Sequence, residues 1–223
     1  MSFGRSKIFS SVFGGAIAVR GVRAGKSIQI GERSIPNPSF WILLQIILYK
    51  INSVIIKSTY SIKVGKIIHF LFKQFDLIIP EVTKEEKKGN FNYAFLRTYP
   101  NCAAIFMLEQ LNRFNDVSSK RKRASQFFDL KLNCDTAHNL GLLRYPVLCK
   151  EPSKMKSLAL KQNIQLGRWY SQAVAPEELD LKLVGYTVGS CPNAESLCKQ
   201  IINLPTLIST QEAKRIVSIL NQS

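Results

Sequence analysis

Ser2 and Lys7 stand five residues apart at the head of the chain, in Met1-Ser2-Phe3-Gly4-Arg5-Ser6-Lys7-Ile8-Phe9. Gly14-Gly15 and the small, β-branched run Ala16-Ile17-Ala18-Val19 follow. A lysine amine attacks an aldehyde to give a Schiff base once its pKa is low enough to leave free amine. A serine hydroxyl five residues earlier, across a turn, can hydrogen-bond a phosphate on the same ligand. The spacing alone is weak, because most such Ser/Lys pairs are solvated surface residues.

Other chemistries find less support. The five cysteines (Cys102, Cys134, Cys149, Cys191, Cys198) include no C-x-x-C pair and are odd in number. They suggest neither a zinc site nor a disulfide framework, so no metal is expected. His69 and His138 are too few and too far apart for a metal cluster or a Ser-His-Asp constellation. Arg5 and Lys7 lead into a Gly-rich stretch and not an apolar signal core, which reads as a reduced, cytoplasmic chain.

The elements that must position these residues read as follows. Residues 1–20 are loop then strand at Ala16–Val19, and residues 21–38 are a Gly/Arg/Lys-rich turn or linker ending Pro36-Asn37-Pro38. Residues 39–79 hold two apolar stretches, Phe40–Tyr49 interrupted by Gln45, and Ile67–Phe72. Both are shorter than a membrane span. They read either as buried or dimer-interface helices or as a Lys-edged membrane-surface hairpin. Residues 80–92 form a charged linker. A helical period then starts at Pro100-Asn101 and runs to about Leu132, with a break near Asp116–Ser119. A strand over Leu142–Lys150 follows, then a helix opened by Pro152, and a short strand or turn over Ile164–Ser171. Residues 176–190 read as loop. A helix opened by Pro192 and an extended Asn203–Thr206 come next. The last helix is capped by Ser209 or Thr210 with Glu212 close behind.

The chain has 223 residues and a formal net charge of +16, enough for one core and an appendage. Such a balance fits nucleic acid, anionic membrane, phosphorylated ligands or simply a solvated lysine-rich surface. The run Lys120-Arg121-Lys122-Arg123 lies in a helical pattern and reads as a solvated face, and no nucleic-acid module is present, so no nucleic-acid partner is expected.

Four stretches, in order and spacing, resemble the DegT-like nucleotide-sugar aminotransferases, enzymes that carry pyridoxal 5'-phosphate on the aspartate-aminotransferase fold (fold type I). The lysine stretch is similar to that family's Ser-Phe-His-x-x-Lys…Gly-Gly signature. Arg97-Thr98-Tyr99-Pro100-Asn101-Cys102-Ala103-Ala104 through Gln110-Leu111 to Arg121 resembles its helix R-m-x-x-x-x-A-A…Q-L…R. Leu143–Val147 with Lys161–Leu166 resembles its small-domain strand and the turn after it. Cys191-Pro192-Asn193-Ala194-Glu195 followed by Ile202-Asn203-Leu204-Pro205-Thr206 resembles its P-x-A-E…L-P ending.

The resemblance implies an α/β fold (α+β in this portion), the C-terminal part of a PLP-dependent transferase. Residues 1–35 would end the cofactor-binding large domain, 36–92 would be an apolar helical insertion and charged linker, and 93–223 a long interdomain helix with a small α/β domain. Lys7 would be the Schiff-base lysine and proton shuttle, Ser2 a cofactor-phosphate contact, and Arg168, Trp169 and Tyr170 would shape the sugar side of the pocket. The implied reaction moves an amino group from an amino-acid donor to a keto nucleotide sugar in surface-polysaccharide and cell-wall biosynthesis. A homodimer or a companion N-terminal chain is implied as partner. The alternative is a non-catalytic membrane-surface or interaction protein on the same scaffold, touching the membrane through 39–79. The pattern also departs from the family. Gly4 stands for its histidine, Phe13 for its glutamate before Gly-Gly, and Phe95 for its phosphate-reaching asparagine. The family's N-terminal half carries the ring-stacking aromatic and the Asp facing the pyridinium nitrogen. The chain is therefore expected to come from a truncated, split or mis-started gene and to bind the cofactor poorly by itself.

Overall fold

A computed structural model describes residues 1–59, 64–93, 96–134 and 141–221. It divides into two compact units, Met1–Thr83 with Phe91–Asn112, and Lys84–Asn90 with Arg113–Ser223.

The first unit contains α1 (Val22–Arg33), α2 (Phe40–Ser58), α3 (Val64–Gln74) and α4 (Asn101–Asn112). Helix α2 starts after Pro38, where the Ser39 hydroxyl accepts from the Ile42 N–H at 3.4 Å. Gln45, which interrupts the apolar run, is buried and its amide donates to the Asp76 carbonyl just beyond α3. That bond supplies the partner a buried amide requires. The core of this unit is small: Val12, Ile46, Ile79 and Ala103 are buried, with Phe13, Ile42, Tyr49, Tyr99, Cys102 and Phe106 packed around them.

Two expectations fail here. The linker at 21–38 contains α1, whose only strong breaking signals lie outside it, at Gly21 with φ +101° and at Pro36. Its two internal glycines made it read as irregular. Ala16–Val19 is not a strand. Only isolated bridges form, Ser2 with Gly15 and Gly4 with Val12. Ala16 exchanges backbone bonds with Met1, but Ile17 and Val19 beyond it are exposed, and the alternating pattern does not extend into a strand.

The second unit contains α5 (Phe114–Leu132), β1 (Arg144–Leu148), α6 (Pro152–Lys161), α7 (Pro192–Gln200), β2 (Ile201–Pro205) and α8 (Thr210–Leu220). The helical pattern from Asn101 breaks at Arg113, whose φ of −96° and ψ of 5° leave the helical region, a little earlier than the sequence suggests. Helix α5 ends on Asn133 in the left-handed conformation, and its N–H returns to the Asp129 carbonyl. Strands β1 and β2 pair antiparallel with Arg144 opposite Pro205 and Leu148 opposite Ile201. Pro146 can donate no ladder bond and stands opposite Asn203, whose N–H and C=O both bond Gly167 instead. Phe128, Tyr145, Met155, Ile202, Leu204, Ile216 and Ile219 close the core. The Phe128 and Tyr145 ring centroids lie 5.2 Å apart, and the Tyr145 hydroxyl donates to Asp129 at 2.6 Å.

Proline opens α6 and α7, and Ser209 with Glu212 forms a full capping box on α8, as the sequence indicates. The basic run on α5 is a partial correction. Lys120 pairs with Asp116 in solvent, but Arg121 turns inward and donates to the Leu143 carbonyl and to Thr206, each at 2.8 Å. Burial, and then the neighbouring Arg144, press its guanidinium below its ordinary pKa. Among the described residues no helix is long and apolar enough to cross a membrane.

Candidate active site

Lys7 sits on a loop closed at its neck by backbone bonds. The Phe3 N–H donates to Gly14 at 2.9 Å, and the Phe3 carbonyl accepts from the Ser11 N–H at 3.1 Å. Inside, the Lys7 N–H donates to the Gly4 carbonyl at 3.1 Å, making a turn that leaves Lys7 exposed.

The neck depends on Gly14 and Gly15. Gly14 has φ +103°, and a Cβ there would stand 2.4 Å from the Tyr99 ring. A Cβ on Gly15 would stand 2.7 Å from the Met1 carbonyl. The Gly-Gly pair is thus required by close packing as well as by backbone conformation. The Tyr99 hydroxyl donates to the buried Ser11 hydroxyl at 2.5 Å, and the Ser11 hydroxyl in turn donates to the Phe13 carbonyl at 2.9 Å. Burial raises the Tyr99 phenol above its ordinary pKa, partly offset by the bond with Ser11.

Ser2 lies on the strand side of this loop, bridged to Gly15, with its hydroxyl 3.9 Å from where a Gly4 Cβ would be. No hydrogen bond or ion pair among the described residues joins Ser2 to Lys7. Gly4, where a histidine is expected from the resemblance, leaves that space open beside Ser2. Phe95 lies outside the described residues.

Arg168, Trp169 and Tyr170 belong to the second unit. The Trp169 and Tyr170 rings stack at 5.4 Å between centroids and 6° between planes. The Arg144 guanidinium lies 3.7 Å above the Trp169 ring, a close cation–π contact. The Asn203 side chain accepts the Trp169 N–H at 2.6 Å, and Arg168 reaches the Cys198 carbonyl at 3.4 Å. Tyr170 is half exposed. Arg144, Trp169 and Tyr170 therefore build an aromatic shelf on the strand pair, fastened by Asn203. The sequence singled out the three consecutive residues but missed Arg144 and Asn203, whose roles arise from the strand register.

A family model described as the DegT/DnrJ/EryC1/StrS aminotransferase family matches residues 84–221. The chain belongs to this family. The DegT-family match takes in α4, the shelf and the capped last helix, while Lys7 lies outside the matched residues. Among solved structures, a candidate sugar aminotransferase, Spr1654 from Streptococcus pneumoniae, in its PMP form, superposes with a TM-score of 0.55 at 14% identity, over 99% of this chain and 51% of its own. A DegT DnrJ EryC1 StrS aminotransferase from Brucella abortus gives 0.48 at 18% identity, over 64% of this chain and 39% of its own. DesV from S. venezuelae gives 0.48 at 17% identity, over 59% of this chain and 39% of its own. The chain spans about half or less of the length of these proteins. The Spr1654 superposition shows the fold as the expected part of an aminotransferase, and it extends through the helices at 39–79. No curated protein sequence matches the chain.

Proposed function

We propose that this chain is the C-terminal portion of a PLP-dependent sugar aminotransferase, in which Lys7 holds the cofactor and the Arg144–Trp169–Tyr170 shelf receives the sugar substrate. The reaction class is amino transfer from an amino acid to a keto nucleotide sugar, feeding surface-polysaccharide synthesis. One observation carries the reading: in a chain of this family, an exposed lysine stands on a loop whose neck is set by the Gly-Gly pair and by buried hydrogen bonds.

The residues present suit such a group in part. Lys7 offers an accessible amine, and Ser2, beside the open space at Gly4, offers a hydroxyl for a phosphate. When bound, pyridoxal phosphate supplies the electron sink for carbanion chemistry. This chain's share is narrower. Lys7 binds the aldehyde and moves a proton at its Nζ. Ser2 orients the phosphate. The stacked Trp169 and Tyr170 rings offer a flat apolar face to a sugar, and Arg144 supports that face from beneath. The acid that faces the ring nitrogen is expected from the family's other half.

The test is borohydride reduction with pyridoxal phosphate, followed by peptide mapping. It is run on the chain alone and with a companion polypeptide carrying the family's N-terminal half. Label at Lys7, strengthened by the companion, is expected. Strong labelling of Lys7 in the lone chain would overturn the view that its site is incomplete, and no label at Lys7 in either mixture would remove it from this role.

A second reading rests on α2. Phe40, Ile47, Ile51 and Val54 are exposed and recur on one helical face. An unpartnered apolar stripe in a strongly basic chain suits an anionic membrane surface. Co-sedimentation with phosphatidylserine vesicles tests it. Binding that survives deletion of residues 39–79 would sink it.

A further inference from the structure

Lys7 lies between two anchors on the first unit. On its N-terminal side the Ser6 hydroxyl donates to Glu81, and the Arg5 guanidinium stands 4.0 Å from the same carboxylate. On its C-terminal side Gln110 of α4 grips Ser10 through both backbone groups. The Ser10 N–H donates to Gln110 Oε1 at 2.9 Å, and Gln110 Nε2 donates to the Ser10 carbonyl at 2.6 Å. The second amide hydrogen goes to the Phe106 carbonyl at 2.9 Å, one turn back on the same helix. That third bond fixes the amide's direction. Turned over, its NH₂ group would face the Ser10 N–H and its oxygen the two carbonyls, losing all three bonds.

We propose that Gln110 is a positioning residue for Lys7: it sets the course of the lysine loop by holding Ser10 against α4. The importance of that course for the cofactor rests on the assignment of Lys7 made above. Glu81 is the opposite anchor, so Lys7–Phe9 spans between two fixed points. Neither anchor touches the amine, and Gln110 acts through the backbone alone. Without Gln110 the loop stays closed at its neck by the Ser11–Phe3 bond, but the stretch after Lys7 samples more directions and its amine spends less time in any one of them.

The experiment uses the full chain with its lysines reductively methylated with ¹³C-formaldehyde, in the natural sequence and as Gln110→Ala and Gln110→Glu. Alanine favours the helix at this position, so α4 is retained, and circular dichroism checks it. In Gln110→Ala the Ser10 amide exchanges with solvent about tenfold faster, as expected for loss of one protecting bond. The Lys7 methyl signal shifts, while that of Lys66 on α3 does not. Gln110→Glu keeps an acceptor for the Ser10 N–H but loses the donor to its carbonyl, and falls between. Unchanged Ser10 exchange in the folded variants overturns the proposal. So does faster exchange with an unmoved Lys7 signal, which would make Gln110 a loop fastener only. Borohydride labelling is read separately: its absence at Lys7 in the natural chain both with and without the companion polypeptide, beside both NMR changes, would remove the cofactor assignment and leave the action of Gln110 on Lys7 standing.

Discussion

The two units treat their apolar residues differently. In the second, α5, α6, α8 and the strand pair share one core that includes Phe128, Tyr145 and Ile216, all fully buried. In the first, α2 is among the most apolar stretches of the chain, yet Ile46 is buried in a core of four residues while Ile51 and Val54 stay in solvent. The second unit thus gathers one larger shared core, whereas the first buries a small one and leaves an apolar face of α2 exposed. An exposed apolar stripe of this kind marks an interaction surface more often than a scattered surface leucine does.

The contrast can be tested with one reporter per unit, since Trp41 lies in the first and Trp169 in the second. The largest effect is expected from Phe128→Ala, which should cost the second unit about 3–5 kcal/mol in urea unfolding followed by Trp169 fluorescence. Ile46→Ala should cost the first unit about 2–5 kcal/mol, read at Trp41. If Ile51→Ala costs as much, the stripe is covered in solution and the contrast falls. An effect within about 0.5 kcal/mol keeps it. Gly14→Ala should destabilise the first unit by about 1–3 kcal/mol through its left-handed backbone, with the clash against Tyr99 adding to it. A proteolysis assay should show cutting near residues 10–16 before any change in the second unit.

Capping effects are smaller. Ser209→Ala should cost the second unit about 1 kcal/mol by removing the hydroxyl that accepts the Glu212 N–H. Glu212 receives the Ser209 N–H and hydroxyl, and these bonds hold its carboxyl below the ordinary glutamate range. A depressed folded pKa contributes stability that is fully present above the unfolded value, about 4.3, and is lost as pH falls through the folded one. Glu195 shifts the same way, held first by the Tyr186 hydroxyl and then by the Gly189 N–H. Urea midpoints of the second unit should therefore fall between about pH 5 and pH 3. Glu212→Gln should flatten that fall slightly; an unaltered pH profile would argue that the box does not form in solution.

The second unit was the more legible in sequence because its signals are local. Pro152 and Pro192 open helices whatever their neighbours do, and Ser209-x-x-Glu212 closes its box within a single turn. Ala16–Val19 misled because alternation makes a strand only where a partner strand exists. The linker reading of 21–38 failed because Gly25 and Gly31 lower helix propensity without forbidding a helix. In the site, Lys7, Ser2 and the Gly-Gly pair could be picked out by type and spacing. Gln110 could not be given its part, because its bonds to Ser10 join residues a hundred positions apart, and nothing in a glutamine on a helix announces a distant backbone. Arg144 and Asn203 were hidden for the same reason: the strand register that carries them to Trp169 is a long-range pairing.

That pairing also bears on the order in which the chain matures. Strand β1 leaves the ribosome well before β2, and Ile216 and Ile219 of α8 come later still. Until they appear, Tyr145 and Phe128 have no roof, and an open strand edge with bare aromatic neighbours is the kind of surface that chaperones hold and that sticks to its copies. The second unit closes only once α8 has emerged. Slow translation across residues 148–201 would lengthen that vulnerable interval, whereas a pause placed before Arg144 would cost the nascent chain little.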